Sequence, residues 1–248
     1  MKKIHYGIFA VPFIILVWVL AASHYPALVF PGPLKTFAEL KKQLITPDFY
    51  HHIGISLYRL FVGFAIASVC AFVVGLLAGI SKQFRQFLTP MVMLFQATPP
   101  MAWAPLLILL LDLGNAPMIA VIVIAAFFPI VVNVIQGMEQ IKVSHIRAAQ
   151  TLGANRFQLA WHVYLPEVMP SAFTGMVVGF GIAWRSLVAA EMIGGNAGLG
   201  WLISSSGQIG NSPLVMVGII TIGILAMFFE LVLLHPLKKR FASWAPRA

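Results

Sequence analysis

Charge is scarce in this chain. Only 9% of its 248 residues are charged, and just 7 of those are acidic, where a soluble domain carries roughly 25%. With 60% of the residues hydrophobic, a water-soluble fold would lack the polar surface to cover its own core. A soluble globular domain is thereby excluded, and the chain is an integral membrane protein. Cysteine is reduced to Cys70, inside an apolar run. An intrachain disulfide is excluded, and the residue reads as packing. No GxxxxGK[ST] segment occurs, so the chain lacks a nucleotide-binding P-loop of its own. The 7 histidines form no metal-ligand pattern: His51 and His52 are adjacent, which keeps them off a common helix face, and the rest are scattered. No Ser/His/Asp set is placed by spacing either, so neither a catalytic residue nor a metal ligand is assigned. The net charge of +9 fits the basic bias of cytoplasmic loops and needs no nucleic acid to explain it.

What the chain has in quantity is long apolar runs. A span needs about 20 such residues, and six runs qualify, at about 6–23, 53–80, 87–111, 116–137, 171–190 and 213–234. The first has Lys2 and Lys3 ahead and Ala21, Ala22 and Ser23 behind. It is longer than the ~7–15-residue core of a signal peptide, so a retained span is expected. With an inside N-terminus, Lys2, Lys3, Lys82, Arg85, Lys142, Arg147, Arg156, Lys238, Lys239, Arg240 and Arg247 fall on the cytoplasmic side, against Lys35, Lys41 and Lys42 outside. The asymmetry favours both termini in the cytoplasm. The whole chain, 1–248, reads as one transmembrane domain.

Two outside segments are informative. In the first, Leu34, Phe37, Leu40 and Leu44 recur at helical spacing among Lys35, Glu39, Lys41 and Lys42, the pattern of an amphipathic interfacial helix. In the second, GGNAGLGW is expected to form a flexible loop leading into a short helix. Within the spans, Pro99, Pro100 and Pro105 interrupt the third, and Pro129 lies midway along the fourth with Asn133 one turn later. Such prolines are tolerated where protein or a cavity satisfies the freed backbone. Gly75 with Gly79, and Gly175 with Gly179, have the spacing of tight helix packing.

Against this background the polar island RAAQTLGANRFQLAWHVYLP, Arg147–Pro166, stands out. Ser144 can cap a helix from about His145 to Leu152, and Gly153 suits the left-handed residue that closes it. A second helix starts near Asn155, with Phe157, Ala160, Trp161 and Tyr164 on one face. Leu165, ahead of Pro166, is expected to leave helical geometry and stop it. Aromatics beside an arginine are typical of protein–protein hot spots, so the island is either a docking handle or a loop helix folded on its own membrane domain.

The segment RAAQTLGANRFQLAWHVYLPEVMPS resembles the EAA loop of ATP-binding-cassette importer permeases. Ala148, Ala149, Gly153, Leu165 and Pro166 match its pattern, and Arg156 and Glu167 fit it. Arg147 stands where that family usually has Glu. HIGISLYRLFVGF (His52, Ser56, Leu57, Arg59, Gly63), PPMAWAPLLILL (Pro100, Ala102, Pro105, Leu106) and AWRSLVAAEMIGGNAGLGWLI (Trp184, Arg185, Glu191, Gly198, Gly200) resemble the nitrate/sulfonate/taurine branch of those permeases. Asp112 and Met118 depart from it, where an aromatic and Lys are usual.

The resemblance implies an all-α type I importer permease of six transmembrane helices in the bacterial inner membrane. It implies a homodimer with a second permease copy, two ATP-binding-cassette ATPase subunits, an extracytoplasmic solute-binding protein and a lipid bilayer around the spans. ATP and Mg would be held by the ATPase, leaving no cofactor in this chain and no enzymatic role. The cytoplasmic coupling loop is 138–170, with Arg147, Ala148, Ala149, Gly153, Arg156, Phe157, Leu165 and Pro166 as its ATPase-coupling residues. The solute class implied is a small anion: sulfonate, taurine or nitrate. For the pathway, Trp184, Arg185, Glu191 and Pro100 are the candidates. Arg185 leads them, because a charge within a span must face the bundle or water and a guanidinium binds oxyanions through paired hydrogen bonds. Glu191 is a poor same-helix partner for Arg185, and Glu230 is expected too far away in depth. Arg59 is expected to snorkel to the outer interface. Three other readings remain: the same fold carrying bicarbonate, a thiamine precursor or another solute; an ion-coupled secondary carrier, which would show repeats and mid-membrane acids; and an intramembrane enzyme, for which no catalytic set is visible.

Overall fold

A computed structural model of the chain describes residues 10–26, 28–234 and 236. Among the described residues every regular element is helical: α1 (Ala10–His24), α2 (Pro33–Gln43), α3 (Pro47–Ile80), α4 (Lys82–Ala97), α5 (Ala104–Leu111), α6 (Asn115–Glu139), α7 (Val143–Thr151), α8 (Arg156–Leu159), α9 (Leu165–Gly194), α10 (Leu199–Gln208) and α11 (Ser212–Phe228). A 3₁₀ turn at Pro100–Trp103 precedes α5, and wide π-turns occupy Ala160–Tyr164 and Phe229–Leu234.

Four helical stretches are long and apolar enough to cross a membrane: Pro47–Ile80, Asn115–Glu139, Arg156–Gly194 and Ser212–Val232. A fifth crossing is possible if Lys82–Ala97 and Pro100–Leu111 count as one broken span, but they meet at 88°. The expected third span, 87–111, falls across this break, which lies at the prolines noted in the sequence as interrupting it. Thr98 precedes Pro99 and Pro99 precedes Pro100, so both are driven to extended backbone (ψ 125° and 126°), as a following proline demands. The first expected span, 6–23, begins outside the described residues, and its described apolar part, Val11–His24, is shorter than a crossing. Six spans are thus not all displayed.

The core is a sandwich of three helices, with α6 packed between α3 and α9. Its outer members present glycine to α6. A Cβ on Gly75 would lie 2.6 Å from Val134, and one on Gly175 would lie 2.7 Å from Asn133 and 3.0 Å from the Ile130 backbone. These are the close approaches expected from the small-residue spacing. Ala125, Ala126, Ile130, Val131 and Val134 fill the interior of α6. Asn133 donates from Nδ2 to the Pro129 carbonyl at 2.8 Å, so the polar group in mid-helix is satisfied locally. Cys70 is exposed on α3 rather than packed inside. The amphipathic segment is helical as expected: α2 begins at a proline in its first turn and packs against α1 and α11.

The polar loop, the membrane cavity and the outer lock

The polar island folds as two helices joined at a left-handed glycine. Gly153 has φ +83°, and the Gly153 and Ala154 N–H groups donate to the Gln150 and Ala149 carbonyls at 2.9 and 3.0 Å, closing α7. Asn155 then caps α8 in a reciprocal box: its side chain accepts from Gln158 N–H (2.8 Å), and Gln158 Oε1 accepts from Asn155 N–H (2.9 Å). Two expectations fail here. Lys142, not Ser144, is the N-cap of α7, and no side chain caps it. The helix also does not stop at Pro166. Leu165 keeps helical geometry (φ −58°, ψ −52°), and the chain runs as one helix for 39 residues from Arg156 to Gly194. The π-turn at Ala160–Tyr164 explains this. Proline lacks an N–H and its ring crowds the carbonyl four residues back, and one wider turn accommodates both.

The loop presents a hydrophobic tip. Leu152, Phe157 and Trp161 are 88%, 76% and 60% exposed, and the two rings stack at 6.5 Å with 8° between planes. Tyr164 turns instead toward the membrane core. Arg147, Ala148 and Arg156 are exposed, while Ala149, Leu165 and Pro166 are half-buried. The Arg147 side chain meets no carboxylate among the described residues. A hydrogen bond of 2.6 Å between His145 Nδ1 and Glu167 Oε1 ties α7 to the start of α9.

The four pathway candidates separate into three places. Trp184 and Arg185 line a cavity of ≈ 410 Å³ that Glu230 shares. Trp184 is nearly buried and its indole N–H has no acceptor. Arg185 is exposed, and its Nε donates to the Gly181 carbonyl at 2.9 Å. Glu230 borders the same cavity, but no ion pair joins it to Arg185, as expected. Phe229, its neighbour, packs on Phe180 and Trp184. The span carrying Arg185 runs to Gly194 rather than 190, which sets Arg185 roughly 14 Å below the helix end. Pro100 borders a different cavity, ≈ 230 Å³, with Phe128 and Pro129. A further cavity, ≈ 530 Å³, lies between α4 and α6 beside the Arg85–Glu139 ion pair (2.9 Å).

Glu191 is in the third place, the outer end of the bundle, and it is entirely buried. It accepts from Arg59 Nη1 at 2.9 Å, from Ser56 Oγ at 2.9 and 3.0 Å, and from Gly200 N–H at 3.0 Å. Arg59, 1% exposed, also donates to Asn115 Oδ1 (2.8 Å) and the Ala197 carbonyl (2.7 Å). It therefore does not snorkel. A guanidinium with a carboxylate and two further acceptors is better satisfied inside than at the interface. The Glu191 carboxylate is thus enclosed, with both oxygens occupied by these donors. The GGNAGLGW segment is likewise not free. Gly198 N–H donates to His52 Nδ1 (3.1 Å), and Leu199 N–H donates to Ser56 Oγ (2.8 Å). Gly198 has φ +112°, and a Cβ there would strike Glu191. His52, Ser56, Arg59 and Gly63 are spaced i, i+4, i+7 and i+11, and all are buried. A buried polar stripe on one face of a membrane helix was the available signal for this lock.

Comparison with known proteins agrees in sequence and in fold. The sequence pattern of the family described as "binding-protein-dependent transport system inner membrane component" matches residues 71–239. The taurine transport system permease protein TauC of Escherichia coli (strain K12) is 35% identical over 195 residues, 79% of this chain and 70% of that protein. The nitrate import permease protein NrtB of Synechococcus elongatus is 26% identical over 249 residues, 95% of this chain and 86% of that protein. A solved structure of the MetNI methionine ABC transporter in inward-facing conformations has a TM-score of 0.60 at 17% identity, covering 76% of this chain and 94% of that chain. The last likeness is one of fold.

Proposed function

This chain belongs to the binding-protein-dependent transport system inner membrane components, and on that premise we propose how it works as the permease subunit of an ATP-driven importer. Two copies enclose the pathway. Two ATPase subunits sit beneath, each receiving one Arg147–Pro166 loop, and a separate binding protein delivers solute from outside. ATP hydrolysis belongs to the ATPase. The subunit crosses the inner membrane six times with both termini in the cytoplasm. The broken α4–α5 pair supplies the third crossing, and the Lys/Arg asymmetry supports the orientation.

The observation that carries this reading is the exposed tip of Leu152, Phe157 and Trp161, set at the hinge by Gly153. Apolar side chains this exposed on a loop call for a partner. The same loop begins the 39-residue helix that ends at Gly194, roughly 58 Å away along the axis. Displacement of the tip by the ATPase is therefore carried as a rigid lever to the outer lock at Glu191. The solute is a small anion of the sulfonate or nitrate class. The names of the relatives support this, as does Arg185, an exposed cation at membrane depth that must meet water, solute or the second copy.

The test is substitution at Gly153. Space around it is open, with nothing within 4 Å of a Cβ, so a substitution acts through backbone strain alone. Gly153→Val places a β-branched residue at φ +83°, at a cost of about 1–3 kcal/mol, whereas Gly153→Asn suits that geometry. The Val variant is expected to insert in the membrane but lose ATPase co-purification and ATP-driven uptake, with Asn near wild type. Normal coupling in the Val variant would sink the assignment.

A further inference from the structure

His52 is a buried histidine with one ring nitrogen already committed. Its Nδ1 accepts from the Gly198 N–H at 3.1 Å. A neutral imidazole carries one donor and one acceptor, so its proton sits on Nε2. That nitrogen lies 3.3 Å from Asp48 Oδ2, without the alignment of a hydrogen bond, and the Asp48 side chain is open to solvent. Trp201 of α10 covers the ring, with centroids 5.0 Å apart. The remaining groups at this corner are accounted for. His51 is the neighbour on α3, at 6.1 Å between ring centroids. Glu191 of α9 is engaged by Arg59, Ser56 and Gly200. α10 and α11 carry no titratable side chain. α2 reaches the adjoining cluster of Phe49, Leu202 and Val217 through Leu40. Its Glu39 is engaged by Gln43 and Lys42, and its Lys35 and Lys41 are exposed.

Consecutive residues of the loop are tied to the outer lock. Arg59 holds the Ala197 carbonyl, His52 the Gly198 N–H, Ser56 the Leu199 N–H and Glu191 the Gly200 N–H. Of these four side chains, only an imidazole ordinarily titrates between pH 5 and 8. We propose that His52 is a proton-operated catch: a proton taken up at Nδ1 evicts the Gly198 N–H and frees the 195–198 loop from α3. Nδ1 carries the lone pair that must receive the proton. Once protonated, it is a donor facing a donor, and the hydrogen bond is lost. The new charge is attracted by the Asp48 carboxylate, which draws the ring away from the loop and toward water. The neutral ring therefore holds the loop, and the charged ring releases it. The released state binds one proton more than the docked state, so docking weakens as pH falls, by at most about tenfold per pH unit.

The test is hydrogen–deuterium exchange of the permease–ATPase complex in detergent, where both ends of the bundle meet the buffer and the orientation in the membrane does not matter. Protection of the Gly198 and Leu199 amides, corrected for the intrinsic pH dependence of exchange, is expected to fall about tenfold or more between about pH 7.5 and 5.5, while α6 keeps its protection. His52→Asn offers Oδ1 in place of Nδ1 and does not titrate, so its protection should stay flat. Asp48→Asn removes the attraction on the charged ring, so the fall should move to lower pH. His51→Gln should leave the fall in place. No fall in wild type, a fall that persists in His52→Asn, one that vanishes in His51→Gln, or one shared by α6 overturns the proposal. Should His52→Asn lose protection at every pH, Asp48→Asn decides: a fall moved to lower pH supports the catch, and an unmoved one overturns it.

Discussion

Replacing Glu191 with Leu removes the acceptor for three donors at once: Arg59 Nη1, Ser56 Oγ and Gly200 N–H. Breaking a buried ion pair from one side costs about 3–5 kcal/mol, because the surviving charge stays desolvated. Arg59 retains Ala197 O at 2.7 Å and Asn115 Oδ1 at 2.8 Å, so the lower end, about 3 kcal/mol, applies. At ~2–4 °C per kcal/mol for a chain of this size, the midpoint of thermal unfolding should fall by roughly 6–12 °C. The double variant Arg59→Met/Glu191→Leu should recover part of that loss, since an apolar pair of similar volume strands no charge. The assay is thermal unfolding of purified protein in detergent, followed by size-exclusion fluorescence. Equal midpoints for the single and double variants, or a single variant within about 1 °C of wild type, would show that Arg59 and Glu191 do not lock the outer end, because a lock must cost more half-broken than absent. The variant Glu191→Gln adds a functional arm: lower stability with an unchanged KM for solute. A KM rising with the charge loss would return Glu191 to the pathway.

Other positions give sharper yes-or-no outcomes. Gly175→Val would drive Cβ to 2.7 Å from Asn133 and 3.0 Å from the Ile130 backbone. A loss of about 1–3 kcal/mol and reduced membrane yield are expected, while Gly223→Ala, which meets nothing within 4 Å, should behave as wild type in the same expression assay. Pro166→Ala removes the reason for the π-turn, so the helix is expected to tighten to α geometry and turn the loop by roughly 100° relative to the span. Uptake should fall while insertion persists, and unchanged uptake would show that the π-turn does not set the orientation of the loop. Gly153→Asn retaining uptake where Gly153→Val loses it separates the hinge from mere loop flexibility.

How much of this was legible depended on how local the cause is. Gly153 and Asn155 were readable because helix ends are set by a few neighbouring residues. The amphipathic α2 and the glycine pairs on α3 and α9 were readable because periodicity states which face is buried. Pro166 misled for the same reason: the local rule against residues before proline is real, but the packing of Tyr164 and Val168 on the core keeps the helix going, and a π-turn absorbs the conflict. Arg59 misled because its partner lies 132 residues away, and a distant carboxylate leaves no trace in local spacing. That Glu230 borders the same cavity as Arg185 was hidden likewise, since it depends on how the end of the last span packs on α9.

Docking of the Arg147–Pro166 tip into a partner ATPase can be read out by cross-linking. In a Cys70→Ser background, Leu152→Cys places one thiol on that tip, 88% exposed in the native residue. A short bifunctional cross-linker applied to native membranes should join it to the ATPase subunit, and addition of ATP should change the yield. A cross-link confined to lipid-facing reagents or to a second copy of this chain, with the ATPase present and unmodified, would show that the tip does not dock there.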